Sequence, residues 1–281
     1  MKKLWTLILI SFILTVQGAV LSYGQANIST RKMKLGDFTS KTTRIVATGN
    51  ELFDIQFREE VSRRWHVSPF EFCTQAEYEA SKTNPDYYFL SIVDSRRKKE
   101  ETPGITMIEL VKGGAEDQTI EVVSFPFCPA TNPSGREFIY LPAILNVIQD
   151  YALKVTTSDL ANLGGLNIYA RKNAKFGDKK LIFSSGDLTG DCEVSESWGK
   201  KNTCAMEEDD ADIIFTRGDE DCIVSYTVSP EEPQKGSVSY QMLFTADTHE
   251  LYYFDKHNIS ERAAAGFSSG DVKQILILKK K

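Results

Sequence analysis

The chain has 281 residues with 33 Lys and Arg against 39 Asp and Glu, a net charge of −6, and is 41% hydrophobic and 26% charged. That balance is ordinary for a globular protein. It excludes a disordered or collagenous chain and a basic nucleic-acid-binding one.

Lys2 and Lys3 precede an apolar run from Leu4 to Val16, and the segment closes on Gly24-Gln25-Ala26. A charged start, a short hydrophobic stretch and small residues before a cut describe a secretory signal peptide. Cleavage after Ala26 is expected, with Gln17-Gly18-Ala19 as the lesser candidate and an uncleaved membrane anchor as the competing reading. No Cys lies in this region, which argues against a lipid-anchored export signal. Removing residues 1–26 takes away two lysines and no acids, leaving 255 residues at a net charge of −8. No later segment approaches transmembrane length. An exported protein, periplasmic or extracellular, is expected, with its mature amino terminus at Asn27.

Downstream, Arg44 to Thr48 reads as a short strand turning at Gly49, with Asn50 placed to cap a helix. Phe53, Phe57, Val61 and Trp65 recur every four residues with Leu52 beside them, which predicts a helix over about 51–65 with that stripe in the core. A strand from Phe70 to Thr74 follows, then a helix near Gln75–Ser81 stopped by Asn84-Pro85, then an aromatic and β-branched strand from Tyr87. Strands near 104–112 and 119–127 close this half, Lys112-Gly113-Gly114 starting the turn between them. From Glu137 to about Thr156, Leu141, Ile144, Leu145, Ile148, Tyr151 and Ala152 keep helical spacing, with Pro142 tolerated in the first turn. A short helix ending at Gly164-Gly165 is expected next.

The second half repeats the first. Glu60-Val61-Ser62-Arg63-Arg64-Trp65 matches Glu193-Val194-Ser195-Glu196-Ser197-Trp198 at an offset of 133, and the segments from Arg44 and Asp86 resemble those from Leu181 and Asp221. Self-similarity on this scale points to a duplicated unit. Asp187 takes the capping place of Asn50. Val238, Tyr240, Met242 and Phe244 alternate with Ser237, Ser239 and Gln241, which predicts a strand with one buried and one wetter face. Asp247-Thr248 reads as the turn before Leu251. The expected architecture is α+β: a tandem duplication of a β-α-β-α-β-β-β unit, each a mixed sheet with helices. The expected segments are 27–133 and 166–281 for the repeats, with linker helices over 134–165.

The Trp after a helix, the run Asp86-Tyr87-Tyr88-Phe89-Leu90 and the ending Glu250-Leu251-Tyr252-Tyr253 resemble uncharacterised exported two-repeat α/β proteins of Bacteroides-type bacteria. The element order is also similar to the amino-terminal domain of the Tol-system translocation protein. These motifs are structural, and the resemblance implies no catalytic residues.

No residue is assigned to catalysis, a cofactor or a metal. Gly266-Phe267-Ser268-Ser269-Gly270 fits a nucleophile-elbow pattern, but no His follows His257 to complete a triad, so it reads as a loop with Asp271 capping a final turn. Glu207 to Asp212 reads as a solvated acidic face or a helix start rather than a calcium loop. His66, His249 and His257 lack metal-ligand spacing. Arg96-Arg97-Lys98-Lys99 runs into Glu100-Glu101, a charged loop with little net field, and no nucleic-acid partner is expected. Cys73, Cys128, Cys192, Cys204 and Cys222 are odd in number, and mostly buried free thiols are expected although export permits a bridge among the last three. The leading expectation is a non-catalytic envelope or secreted protein acting as a protein-interaction module. The alternatives are small-molecule or glycan binding in the inter-repeat cleft, and a hydrolase with a dispersed carboxylate site.

Overall fold

The computed structural model describes residues 35–115, 119–157, 165–170, 176–193 and 196–279. The signal segment and most of the short helix expected before Gly165 lie outside the described residues. The first repeat runs β1 (Thr42–Val46), α1 (Glu51–Arg64), β2 (Phe70–Cys73), α2 (Gln75–Ser81), β3 (Tyr87–Ser95), β4 (Ile105–Lys112), β5 (Ile120–Pro129) and α3 (Glu137–Thr157). The second runs β6 (Lys180–Ser184), α4 (Glu196–Gly199), β7 (Thr203–Met206), α5 (Glu208–Arg217), β8 (Cys222–Val228), β9 (Val238–Thr245), β10 (Leu251–Asn258) and α6 (Ser269–Leu278).

Both sheets have the same strand order. Sheet 1 is β2-β1-β3-β4-β5 and sheet 2 is β7-β6-β8-β9-β10, with the first three strands parallel and the rest antiparallel. Each last hairpin shifts register at the same place, beside Leu110/Val111 in sheet 1 and Leu243/Phe244 in sheet 2. Trp65 and Trp198 each stand five residues before the strand that follows, and both are buried. The architecture is a tandem repeat of mixed α/β units, as the duplicated sequence implies.

One alignment is corrected by the ladders. Thr43 pairs with Phe70 as Leu181 pairs with Thr203, so Thr43 rather than Arg44 is the counterpart of Leu181. Thr42 and Thr43 belong to the strand although no apolar residue marks its start. A one-residue slip exchanges the two faces, so Arg44 takes the place of Ile182.

Right-handed crossovers in opposite directions put the helices of each unit on opposite faces of its sheet. Val46, Cys73 and Phe89 meet Tyr78 of α2 on one side of sheet 1. Ile45, Tyr88, Leu90, Leu110 and Phe125 meet α1 and α3 on the other. The α5 face of sheet 2, with Ile182, Val224, Tyr226, Met242 and Phe244, joins that same cluster, while Leu181, Phe183, Ile223 and Leu243 pack on Trp198 and α6. The repeats are therefore stacked in one direction, with α3 inside a shared core.

Two expectations about faces are revised. Leu52 is 77% exposed and lies outside the core stripe, whereas Phe57 and Val61 are buried. The Ser237, Ser239 and Gln241 side of β9 is dry, because the segment leading into α6 covers it: Ser239 Oγ accepts from Gly266 N at 3.0 Å and Gln241 Nε2 donates to Gly266 O at 2.6 Å. Gly266, at φ +100°, leaves no room for a side chain, since a Cβ would sit 2.6 Å from Asp187 O. Small polar residues can alternate with apolar ones and still be buried when their hydroxyls are satisfied.

A shared core predicts that the repeats unfold together. Trp65 and Trp198 report one repeat each, so Trp65→Phe and Trp198→Phe variants should give coincident urea transitions. Ile148→Ala, in the buried face of α3, should lower stability by about 2–5 kcal/mol and shift both transitions equally. Two separated transitions would show that each unit folds alone.

Candidate functional site

The seam between the repeats gathers the side chains whose chemistry is not spent on packing one unit. Its centre is Arg136, one residue before α3. Arg136 Nε donates to Asp212 Oδ2 at 2.9 Å and Nη1 to Asp187 Oδ1 at 2.9 Å, with Glu208 Oε2 3.2 Å away. Asp187 also accepts from Ser225 Oγ at 2.6 Å and Thr227 Oγ1 at 2.8 Å, and Tyr140 Oη donates to Asp212 at 2.9 Å. The Tyr140 ring lies between Tyr226 at 4.2 Å and Phe215 at 4.4 Å, both stacked.

The sequence marks only the acids here, Asp187 as a cap and Glu207 to Asp212 as an acidic face or helix start, and the helix start is present as α5. Asp187 caps no helix; it is 1% exposed and holds β8 and Arg136 together. Asp212 is not part of a solvated face but buried, and burial pushes its carboxyl above the usual range against the pull of Arg136. Burial likewise raises Glu208. The Arg136 fork is occupied by carboxylates, so the cluster clamps the repeats and leaves the guanidinium no free edge for a ligand.

Two grooves flank the seam. One, of about 420 Å3, is lined by Asp150 and Lys154 of α3, Tyr169, and His249 and Glu250 of the β9–β10 turn. The other, of about 360 Å3, takes Ser95, Arg97, Glu121 and Ser124 from the first repeat, Asn167 from the segment between repeats, and Lys256 from the second. Tyr240 lies in its wall, its hydroxyl accepting from the Arg97 guanidinium.

The other sequence candidates are placed as follows. Ser268 is the N-cap of α6; its hydroxyl donates to Asp271 Oδ2 at 2.7 Å and accepts from Asp271 N at 3.2 Å, a capping box rather than a nucleophile. His257 Nε2 contacts Ala264 O at 2.8 Å, and His66 is exposed beyond the end of α1. All five cysteines are free thiols, Cys73 and Cys128 buried and the others half-buried. Among the described residues no group of three potential ligands could hold a metal ion. The basic loop is misread by its sequence neighbours: Glu100 is turned inward and buried, accepting from Arg97 N at 2.8 Å and Ser237 Oγ at 2.6 Å. Nothing in the local sequence shows which way Glu100 points.

His249 gives the seam a pH dependence. Burial, then the positive charge of Arg64 beside Nδ1 at 3.3 Å, lowers its pKa from 6.5 to about 4. The unfolded chain takes up this proton first, so the contribution is whole above pH 6.5 and is lost as pH falls toward 4. Allowing for screening, the loss is about 2 kcal/mol. His249→Asn, which tolerates the native φ of +57°, should flatten urea stability over that window; an unchanged slope would place the acid lability elsewhere.

No family model, no curated protein and no solved structure matches the chain, and its function is read from this geometry.

Proposed function

We propose that the chain is an exported, non-catalytic binding protein that takes a small molecule or glycan in the groove between its repeats. The observation that carries this is the composite lining of the 360 Å3 groove, where Arg97, Glu121 and Ser124 of one repeat face Lys256 of the other. Polar groups converging from two units on one concavity are the form a ligand site takes. The shared core and the Arg136 clamp support the reading, because a seam held from beneath needs little reorganisation on binding.

A protein-interaction role has its own support in α1, where Leu52 is 77% and Ile55 56% exposed, one turn apart. Partner surfaces expose such residues, although a single pair is a small patch.

The test is a thermal-shift screen of the mature chain against neutral and charged small molecules and oligosaccharides. Asn167→Trp, which fills the groove from an exposed position, should abolish the shift given by any hit. A hit that survives the substitution binds elsewhere and overturns the groove. In-cell crosslinking from position 55 separates the second reading: reproducible capture of one protein there, with no groove ligand found, would favour the interaction module.

A further inference from the structure

The groove carries a sign. Arg97 opens the turn of chain after β3, and Lys256 stands on β10 of the other repeat; each is centred 5.9 Å from the ring of Tyr240. Two cations thus meet over one aromatic side chain. Among the described residues neither forms an ion pair with a carboxylate, in a protein whose acids outnumber its bases by 39 to 33. Of the acids flanking Arg97, Glu100 is spent on a backbone N–H and on Ser237, and Asp94 accepts from Thr106 Oγ1 at 2.7 Å. An adjoining groove of about 320 Å3, sharing Arg97, adds Lys98 and Lys99 from one repeat and Lys235 from the other. The loops that bring them together are in contact at Gly236, where φ is +96° and a Cβ would lie 2.8 Å from that of Lys99.

Like charges placed together without a counter-charge repel, and a pair of that kind lining a groove marks a candidate seat for an anion. Loss of hydration, then the positive charge of Arg97, holds the Lys256 ammonium below its usual pKa. Glu121 lines the same groove with Ser124 and Asn167. A ligand charged along its whole length would meet Glu121 unfavourably, whereas hydroxyls would find acceptors and donors there.

Resting on the groove reading above, we propose that the ligand carries a phosphate- or sulfate-type oxyanion seated between Arg97 and Lys256, on a hydroxyl-bearing body that reaches toward Glu121. Guanidinium and ammonium together supply charge-assisted donors to such an oxyanion. The neighbouring lysines raise its local concentration without contacting it.

The experiment is calorimetry on the mature chain with four probes: glucose 6-phosphate, inorganic phosphate, inorganic sulfate and glucose. Glucose 6-phosphate should bind most tightly, phosphate and sulfate more weakly, and glucose not measurably; the ratio of phosphate to sulfate identifies which oxyanion the seat prefers. Lys256→Gln and Arg97→Gln should each weaken the anions by about tenfold or more, while Lys82→Gln, at the C-cap of α2 and outside both grooves, should leave them within about twofold. Lys256→Gln should also keep or raise the ligand-free melting temperature, since it removes the repelling charge; a purely structural lysine would lower it. Anion binding untouched by Lys256→Gln and Arg97→Gln overturns the seat, as does failure of every anion to bind. Glucose binding that Asn167→Trp abolishes and Lys256→Gln leaves alone would sink the oxyanion and keep the groove.

Discussion

Helix α3 is apolar on nearly every side, with Tyr140, Leu141, Ile144, Leu145, Ile148, Tyr151 and Val155 all buried. A helix of that kind has no stable position on a surface and must lie between layers. It completes the first repeat as α6 completes the second, and it also packs on α5 of its neighbour. The second sheet is thus needed to cover the first repeat's own closing helix, which ties the folding of one unit to the presence of the other. Tyr226 Oη, donating to Phe127 O at 2.6 Å, and the stacked rings around Tyr140 are consequences of that closeness.

Stacking equal units in one direction leaves two unlike ends, and the substitutions between equivalent positions follow from this. The outward face of sheet 1 corresponds to the inward face of sheet 2. There Arg44 stands for Ile182, Ser91 for Tyr226 and Glu109 for Met242, as the strand registers require. Helix α2 has no buried residue, whereas its counterpart α5 buries Ala211, Asp212 and Phe215. Arg44 meets Glu71 and the Tyr87 ring where Ile182 meets the shared core. Terminal units of a stack need such polar outer faces. At the other end α6 does the same work, turning Val272, Ile275 and Leu276 inward.

The elements were legible because each rests on local chemistry: the four-residue stripe of α1, the Asn84-Pro85 stop after α2, and the alternation in β9. What stayed hidden depends on residues far apart in sequence. The register of β1 was obscured by two threonines that carry no apolar mark, and the dryness of Ser239 and Gln241 comes from a loop some 25 residues on. Arg136 finds Asp187 and Asp212 51 and 76 residues away, a meeting that no spacing rule announces. The basic loop was legible as a run of charge but not as a surface, since that depends on the inward turn of Glu100 and on Lys256 and Lys235 arriving from the other repeat.

The seam therefore holds two charged clusters of opposite character. Around Arg136, three carboxylates share one guanidinium, and hydroxyls of Tyr140, Ser225 and Thr227 satisfy the remaining lone pairs. Both oxygens of Asp187 and of Asp212 have partners within the protein, which is the condition for buried carboxylates to hold a structure together. Around Tyr240 the balance is left open: two cations, an aromatic ring and a groove, with Glu100 turned away and Glu121 in the groove wall. A closed cluster fixes how the repeats sit, and an open one at the same seam can use that fixed geometry to select what enters. The distinction lies in satisfaction rather than in charge density, and it is why the acidic cluster that dominates the sequence reads as framework while the sparser basic pair reads as site.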